Sequence, residues 1–273
     1  MGNRVVCFVT GSRAEFGLFQ SVLEALQNCE GLESRIVVTG SHLSERFGKT
    51  VAAVEASGFQ IDRKVSLDLS KDSTSTIASS MAHVIEKFTS FFSQNTFDAV
   101  FLVGDRYEIF SVAKAVMLCR LPIAHLGGGD STVGAIDEAM RHSITKMSHI
   151  HFAFNEKSKK RVVQLGESPE RVFCSGNPSL DLLSRSEVLS RDELAKELGL
   201  ELADKNFLVA FHPVTLEEDS GYSQCKAMVE ALRLEDEDCS YIVTSPNADP
   251  GFEAISELLH RFVAEQSRAI FVS

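Results

Sequence analysis

Two nearly uninterrupted apolar runs, RVVCFV at 4–9 and DAVFLVGD at 98–105, narrow the folds open to this chain. A strand that is apolar at consecutive positions, rather than alternate ones, needs cover on both faces. That is the condition of a parallel sheet held between helix layers. The intervening stretches supply the helices. In FGLFQSVLEAL (16–26), Leu18, Val22, Leu23 and Leu26 recur on one helical face. Strands over 34–40, 61–67, 121–126 and 149–154 then alternate with helices near 48–57, 76–93, 108–118 and 136–147. This alternation predicts an α/β fold whose ligand edge lies where strands end and helices begin.

The pattern changes after Gly176, where GNPSLDLL leads into the polar SRSEVLSRDE. A second series follows: strand 206–213, helix 221–232, strand 240–246, helix 252–264 and strand 268–273. The expected division is an N-terminal Rossmann-like domain over 1–176 and a partial C-terminal Rossmann-like domain over 177–273.

Charge limits the partners. A formal net charge of -11 opposes binding to nucleic acid or anionic lipid, so any phosphate must be gripped by a few local donors. The five apolar residues before Thr10 are too few for a signal segment, and no run reaches membrane-spanning length. Val6 stands where N-myristoylation requires Ser or Thr. The six cysteines include no CxxC pair, which favours buried thiols in a reducing compartment over a zinc site. A cytoplasmic location is expected.

Five segments at strand ends carry candidate chemistry. Gly11–Gly17 (GSRAEFG) is a small-residue turn opening a helix, with Arg13 as a forked cation. Gly104–Glu108 (GDRYE) sets Asp105 beside Arg106 after a buried strand. His125–Asp130 (HLGGGD) has three successive glycines, which suggest close approach of backbone to a ligand. In the helix opening at Gly134, Asp137 and Arg141 are four apart, as are Glu138 and His142, so each pair can meet on one face. His212, locked by Pro213, follows the first strand of the second unit. Each signal is weak alone, but their shared position on the ligand edge makes them one candidate site.

These segments, with GAIDEAMRHSITKMSHIHF (134–152), GNPSLD (176–181), FHPVT (211–215) and SPNAD (245–249), resemble the hydrolysing UDP-N-acetylglucosamine 2-epimerases of sialic-acid and nonulosonic-acid biosynthesis. The resemblance implies a GT-B-like fold of two Rossmann-type doubly wound domains, the second incomplete, with a UDP-sugar between them. It implies removal of the C2 proton, departure of UDP by C1–O cleavage to a glycal, and addition of water. The products are UDP and the free 2-epimeric sugar. Asp105, Asp130 and Asp137 would then be the acid/base carboxylates, and His212 would assist departure of UDP. Arg13, Arg106 and Arg141 would contact the diphosphate or sugar, and Asn247 would line the nucleotide side. No cofactor or metal is implied, and the chain is expected to be a homo-oligomer.

Two departures stand out. Many members carry Gly-Gly-Glu where this chain has Gly129-Asp130. The family also supplies a serine-rich loop and a following Glu with no match here. From that the chain is expected to bind UDP weakly, turn over slowly and self-associate, which UDP affinity, product release and molecular mass would measure. The competing readings are a non-hydrolysing epimerase, a GT-B glycosyltransferase and a non-catalytic UDP-sugar-binding module.

Overall fold

The two apolar runs lie side by side. In the computed structural model, which describes residues 2–71, 73–219, 221–235, 238–246 and 251–272, β1 (Arg4–Thr10) pairs in parallel with β4 (Ala99–Val103). Between them in sequence come α1 (Arg13–Gln27), β2 (Leu32–Val38), α2 (Val51–Ala56), β3 (Ile61–Lys64) and α3 (Thr74–Gln94). After β4 come α4 (Tyr107–Leu118), β5 (Ile123–Leu126), α5 (Asp137–Met147), β6 (Ile150–Ala153), α6 (Glu156–Gln164), β7 (Val172–Cys174) and α7 (Ser179–Arg185). All seven strands form one parallel sheet in the order β3-β2-β1-β4-β5-β6-β7. The chain therefore winds outward in one direction from β1 and in the other from β4. The switch point between those strands is where a doubly wound sheet opens a crevice at its C-terminal edge.

Consecutive residues of β1 serve opposite faces, as the continuous apolar run requires. Cys7 and Val9 pack with Phe88 of α3, Ile109, Val112 and Val116 of α4 and Ile144 of α5. Phe8 packs on the other side with Phe16, Phe19 and Leu23 of α1 and Val51 and Val54 of α2. Each fully buried side chain of this size contributes roughly 2 kcal/mol relative to exposure. Phe8 also stacks on Phe101 across the switch point, ring centroids 4.8 Å apart.

Two compact units are present, Met1–Arg185 and Ser186–Ser273. The first includes α7, whose Arg185 reaches Glu24 of α1 at 3.6 Å. The second contains α8 (Arg191–Leu198), β8 (Lys205–Val209), α9 (Tyr222–Leu232), β9 (Cys239–Thr244), α10 (Phe252–Glu265) and β10 (Ala269–Val272). Its strands are parallel in the order β10-β9-β8. Val209, Tyr241 and Val243 pack there against Cys225 and Val229 of α9 and Ile255, Leu259 and Phe262 of α10. Among the described residues no helix is long and apolar enough to cross a membrane. The cysteines are all free thiols; Cys7, Cys225 and Cys239 are buried, whereas Cys29 and Cys174 are exposed.

The glycine run after β5 corrects one expectation. Gly127, Gly128 and Gly129 are buried, and what they approach is the protein itself. Gly129 has φ +84°, and a Cβ there would stand 2.2 Å from the Ser158 carbonyl oxygen of α6. The loop is pressed against α6 so closely that no side chain fits. Gly129→Ala should therefore destabilise the first unit by about 3 kcal/mol, combining backbone strain with overpacking. Chemical denaturation of the variant beside its parent measures this.

Candidate active site

The loops after β1, β4 and β5 gather at the C-terminal edge of the sheet, on either side of the switch point. Segments 11–13, 104–106 and 127–136 thus share one edge, as the strand–helix alternation predicts. The N-termini of α1 and α4 open onto it, and helix N-termini favour anionic groups.

Arg141 organises this edge. It lies in α5, is 6% exposed, and sends its guanidinium back 36 residues to Asp105. Its Nε donates to Asp105 Oδ2 at 2.7 Å, and Nη2 donates to the same oxygen. Nη1 donates to the Asp130 carbonyl oxygen at 2.9 Å, and Nη2 also donates to Thr132 Oγ1 at 3.0 Å. One forked cation therefore fixes the loop after β4 and the loop after β5 together. Asp105 Oδ1 takes no hydrogen bond among the described residues, so one carboxylate oxygen is held while the other stays open.

Asp130 is anchored from the opposite side. Its Oδ1 accepts from Ser158 Oγ, and Ser158 N–H donates to Asn155 Oδ1, the N-cap of α6, at 2.9 Å. Arg161 of the same helix donates to the Gly129 carbonyl oxygen. Asp137 opens α5 one turn before Arg141, partly buried. Glu138 turns back to accept from Thr132 N–H at 2.6 Å and Ser131 Oγ at 3.0 Å. Those bonds, the backbone one first, hold its carboxyl below the usual glutamate range. Glu138 and His142 approach only to 3.8 Å, so the helical pairing expected from their spacing is secondary. Arg141 is engaged with Asp105 across the edge rather than with its own helix.

Two histidines support the edge as neutral rings. His125 is fully buried, which pulls its pKa down to about 4. Its Nε2 lies 2.8 Å from the Gly104 carbonyl oxygen, which can only accept, so the proton resides on Nε2. His42 is held between Thr10 Oγ1 at 2.9 Å and Thr50 Oγ1 at 2.8 Å, and burial likewise lowers it to about 4.

Two buried carboxylates lie beneath the first turn. Glu15 Oε2 accepts from Gly11 N–H at 2.6 Å, and Glu108 Oε1 accepts from Arg106 Nε at 2.7 Å. Both are nearly inaccessible, at 5% and 1% exposure. Spacing gave neither of them a role. The signal was present: both belong to the quoted motifs, and an acidic residue in the first turn behind a buried strand has little chance of reaching water.

Three candidates remain. Arg13 is exposed at the start of α1, with no hydrogen-bond or ion-pair partner among the described residues. His212 belongs to the second unit, exposed in the segment after β8. Asn247 lies outside the described residues.

A profile described as UDP-N-acetylglucosamine 2-epimerase matches residues 24–272. The chain belongs to that family. Among curated relatives, it is 36% identical over 267 residues to a GDP/UDP-N,N'-diacetylbacillosamine 2-epimerase (hydrolyzing) from Campylobacter jejuni, covering 98% of this chain and 69% of that one. It is also 36% identical over 268 residues to the polysialic acid biosynthesis protein P7 of Escherichia coli, covering 98% and 68%. Among solved structures, a UDP-GlcNAc 2-epimerase from Neisseria meningitidis bound to UDP-GlcNAc superposes with a TM-score of 0.77 at 16% identity, covering 98% of this chain and 72% of that one. At that identity the likeness speaks for the fold, which is the GT-B-like α/β class expected from the sequence.

The Arg141 bridge carries a direct expectation. Arg141→Met leaves Asp105 without its counter-charge and should cost about 3 kcal/mol or more of stability. Arg141→Lys keeps the charge but not the planar fork, so it should restore only part of that loss. Denaturation midpoints of the two variants, read beside the parent, check the order.

Proposed function

We propose that this protein converts a UDP-N-acetylhexosamine to UDP and the free 2-epimeric sugar, the hydrolysing form of 2-epimerisation. Its substrate is UDP-GlcNAc or a 6-deoxy diacetamido relative. Its product is a ManNAc-type sugar destined for sialic or nonulosonic acids, made in the cytoplasm by a homo-oligomer. The observation that carries this reading is the fixed carboxylate of Asp105, held at one oxygen by Arg141 and open at the other. Family membership and the hydrolysing relatives support it.

The chemistry follows from what the edge offers. Removing the proton from C2 needs a carboxylate oxygen within about 3 Å in a fixed direction. Asp105, Asp130 and Asp137 are the candidates, because Arg141 ties the first two loops together and Asp137 sits one helical turn away. Departure of UDP by C1–O cleavage places growing negative charge on the diphosphate. Arg13, without a partner among the described residues at a helix N-terminus, is placed to meet it, and Arg106, whose Nε is held by Glu108, is assigned to the same charge. His212 and Asn247 are assigned to the nucleotide side. Water then adds to the glycal, and one carboxylate returns a proton to C2 from the other face.

Products from a panel of UDP-N-acetylhexosamines, identified by mass spectrometry with the longest form the gene encodes, test the reading. Free 2-epimeric sugar with an equal amount of UDP is expected. Retained UDP-sugar would indicate the non-hydrolysing reaction, and UDP binding without any product would indicate a binding module. Asp105→Asn and Asp137→Asn should each lower kcat by roughly 10²-fold or more, the usual loss for an acid/base group. His212→Ala should slow release of UDP. Glu138→Ala should matter less, since its bonds are to its own loop.

A further inference from the structure

The two buried glutamates below the switch point have a use that the carboxylate chemistry does not absorb. Glu15 Oε2 and Glu108 Oε1 both border the small space left by the missing side chain of Gly11. A Cβ on Gly11 would stand 3.3 Å from the first, 3.1 Å from the second, and only 2.9 Å from Glu108 Cγ. The two carboxyl groups therefore border the same glycine. Their other oxygens, Glu15 Oε1 and Glu108 Oε2, are both buried with no hydrogen-bond partner. A buried oxygen without a partner loses its hydration with no compensation, and a charged one loses most, so two such oxygens on acids bordering one glycine call for a hydrogen between them.

We propose that Glu15 and Glu108 share one proton and together act as the positioning pair for the Gly11 turn and the Arg106 guanidinium. In that state one acid's O–H donates to the other's carboxylate oxygen. The pair carries a single negative charge, and Arg106 neutralises it. Fully ionised, two anions would face one cation in a nearly dry space, which electrostatics opposes.

The surroundings agree. The charged groups acting on Glu15 are Glu108, Arg106 and Asp105, all from the loop after β4 and the start of α4. The facing turn after β2 brings Gly40 against the Gly11 backbone and sends Ser41 Oγ to the Gly11 carbonyl oxygen at 3.0 Å. Its titratable member, His42, is neutral. Burial first, and the Glu108 charge second, push Glu15 up to about 8. The role given to Arg106 rests on the proposed function; the shared proton does not.

A carboxyl that loses its proton near 4.5 when unfolded but keeps it to about 8 when folded makes the folded state bind more protons between those values. Stability therefore falls as pH rises through that window. Glu15→Gln supplies a permanent N–H to Glu108 while keeping an acceptor for Gly11 N–H. Thermal unfolding of parent, Glu15→Gln and Glu15→Ala from about pH 5 to about pH 9 should show the Gln variant gaining on the parent as pH rises, with the gap closing near pH 5. The histidines titrate alike in both proteins and cancel in the difference. Glu15→Ala should be destabilised throughout. The infrared spectrum of the parent near pH 7 should contain a protonated-carboxyl carbonyl band that vanishes in Glu15→Gln. A pH-independent gap, or no such band, overturns the shared proton. In turnover assays the parent should lose activity as pH passes about 8 while Glu15→Gln does not. An identical alkaline limb in both overturns the positioning role. No turnover in the parent counts against the proposed function instead, and the unfolding and infrared results still decide the pair.

Discussion

The guanidinium of Arg141 joins elements that the backbone alone leaves independent. Strands β4 and β5 are neighbours in the sheet, but the loops that follow them could take many courses. Arg141 donates to the Asp105 carboxylate, the Asp130 carbonyl and the Thr132 hydroxyl, selecting one course for both loops. The planar fork suits this task because its donors leave in fixed directions. Burial of the pair raises the cost of breaking it, so the open oxygen of Asp105 is presented from a stiff mount. Helix α6 backs the arrangement through Ser158 on Asp130 and Arg161 on Gly129.

Charge is arranged in layers at this edge. Outermost is Arg13, exposed and unpaired, suited to an incoming anion. Next are Asp105 with Arg141 and Glu108 with Arg106, each acid matched to a base. Buried with them is Glu15, whose carboxyl has no cation of its own and is driven toward its neutral form. The net charge of -11 is thus locally offset at this edge, where Arg106 and Arg141 are each held by a carboxylate and Arg13 is exposed.

Much of this was legible in the sequence, for physical reasons. Continuous apolar runs forced the parallel sheet, and the sheet forced the strand-end motifs of the first unit onto one edge. Periodicity did not reveal α6, because EKSKKRVVQ buries little besides Ser158 and Val162. Only Asn155, an N-cap residue, marked its start. Strand β7 is just three residues, VFC, too short for alternation to register. The contacts of Arg141 were misread because i,i+4 spacing advertises Asp137, whereas the partner actually made is 36 residues away. Spacing along a helix reports which residues can meet; it does not report which competing long-range partner is better buried. The glycine run similarly looked like room for a ligand and proved to be close packing against Phe154, Thr145 and, at Gly129, Ser158 of α6.

The central claim is that carboxylates mounted around Arg141 move the proton at C2 of a UDP-sugar. Turnover in deuterium oxide, followed by NMR of the sugar product, tests it most directly. Every product molecule should carry solvent deuterium at C2, and Asp105→Asn should suppress deuterium incorporation and UDP release together. Product retaining its original C2 hydrogen while UDP is released at the normal rate would contradict it.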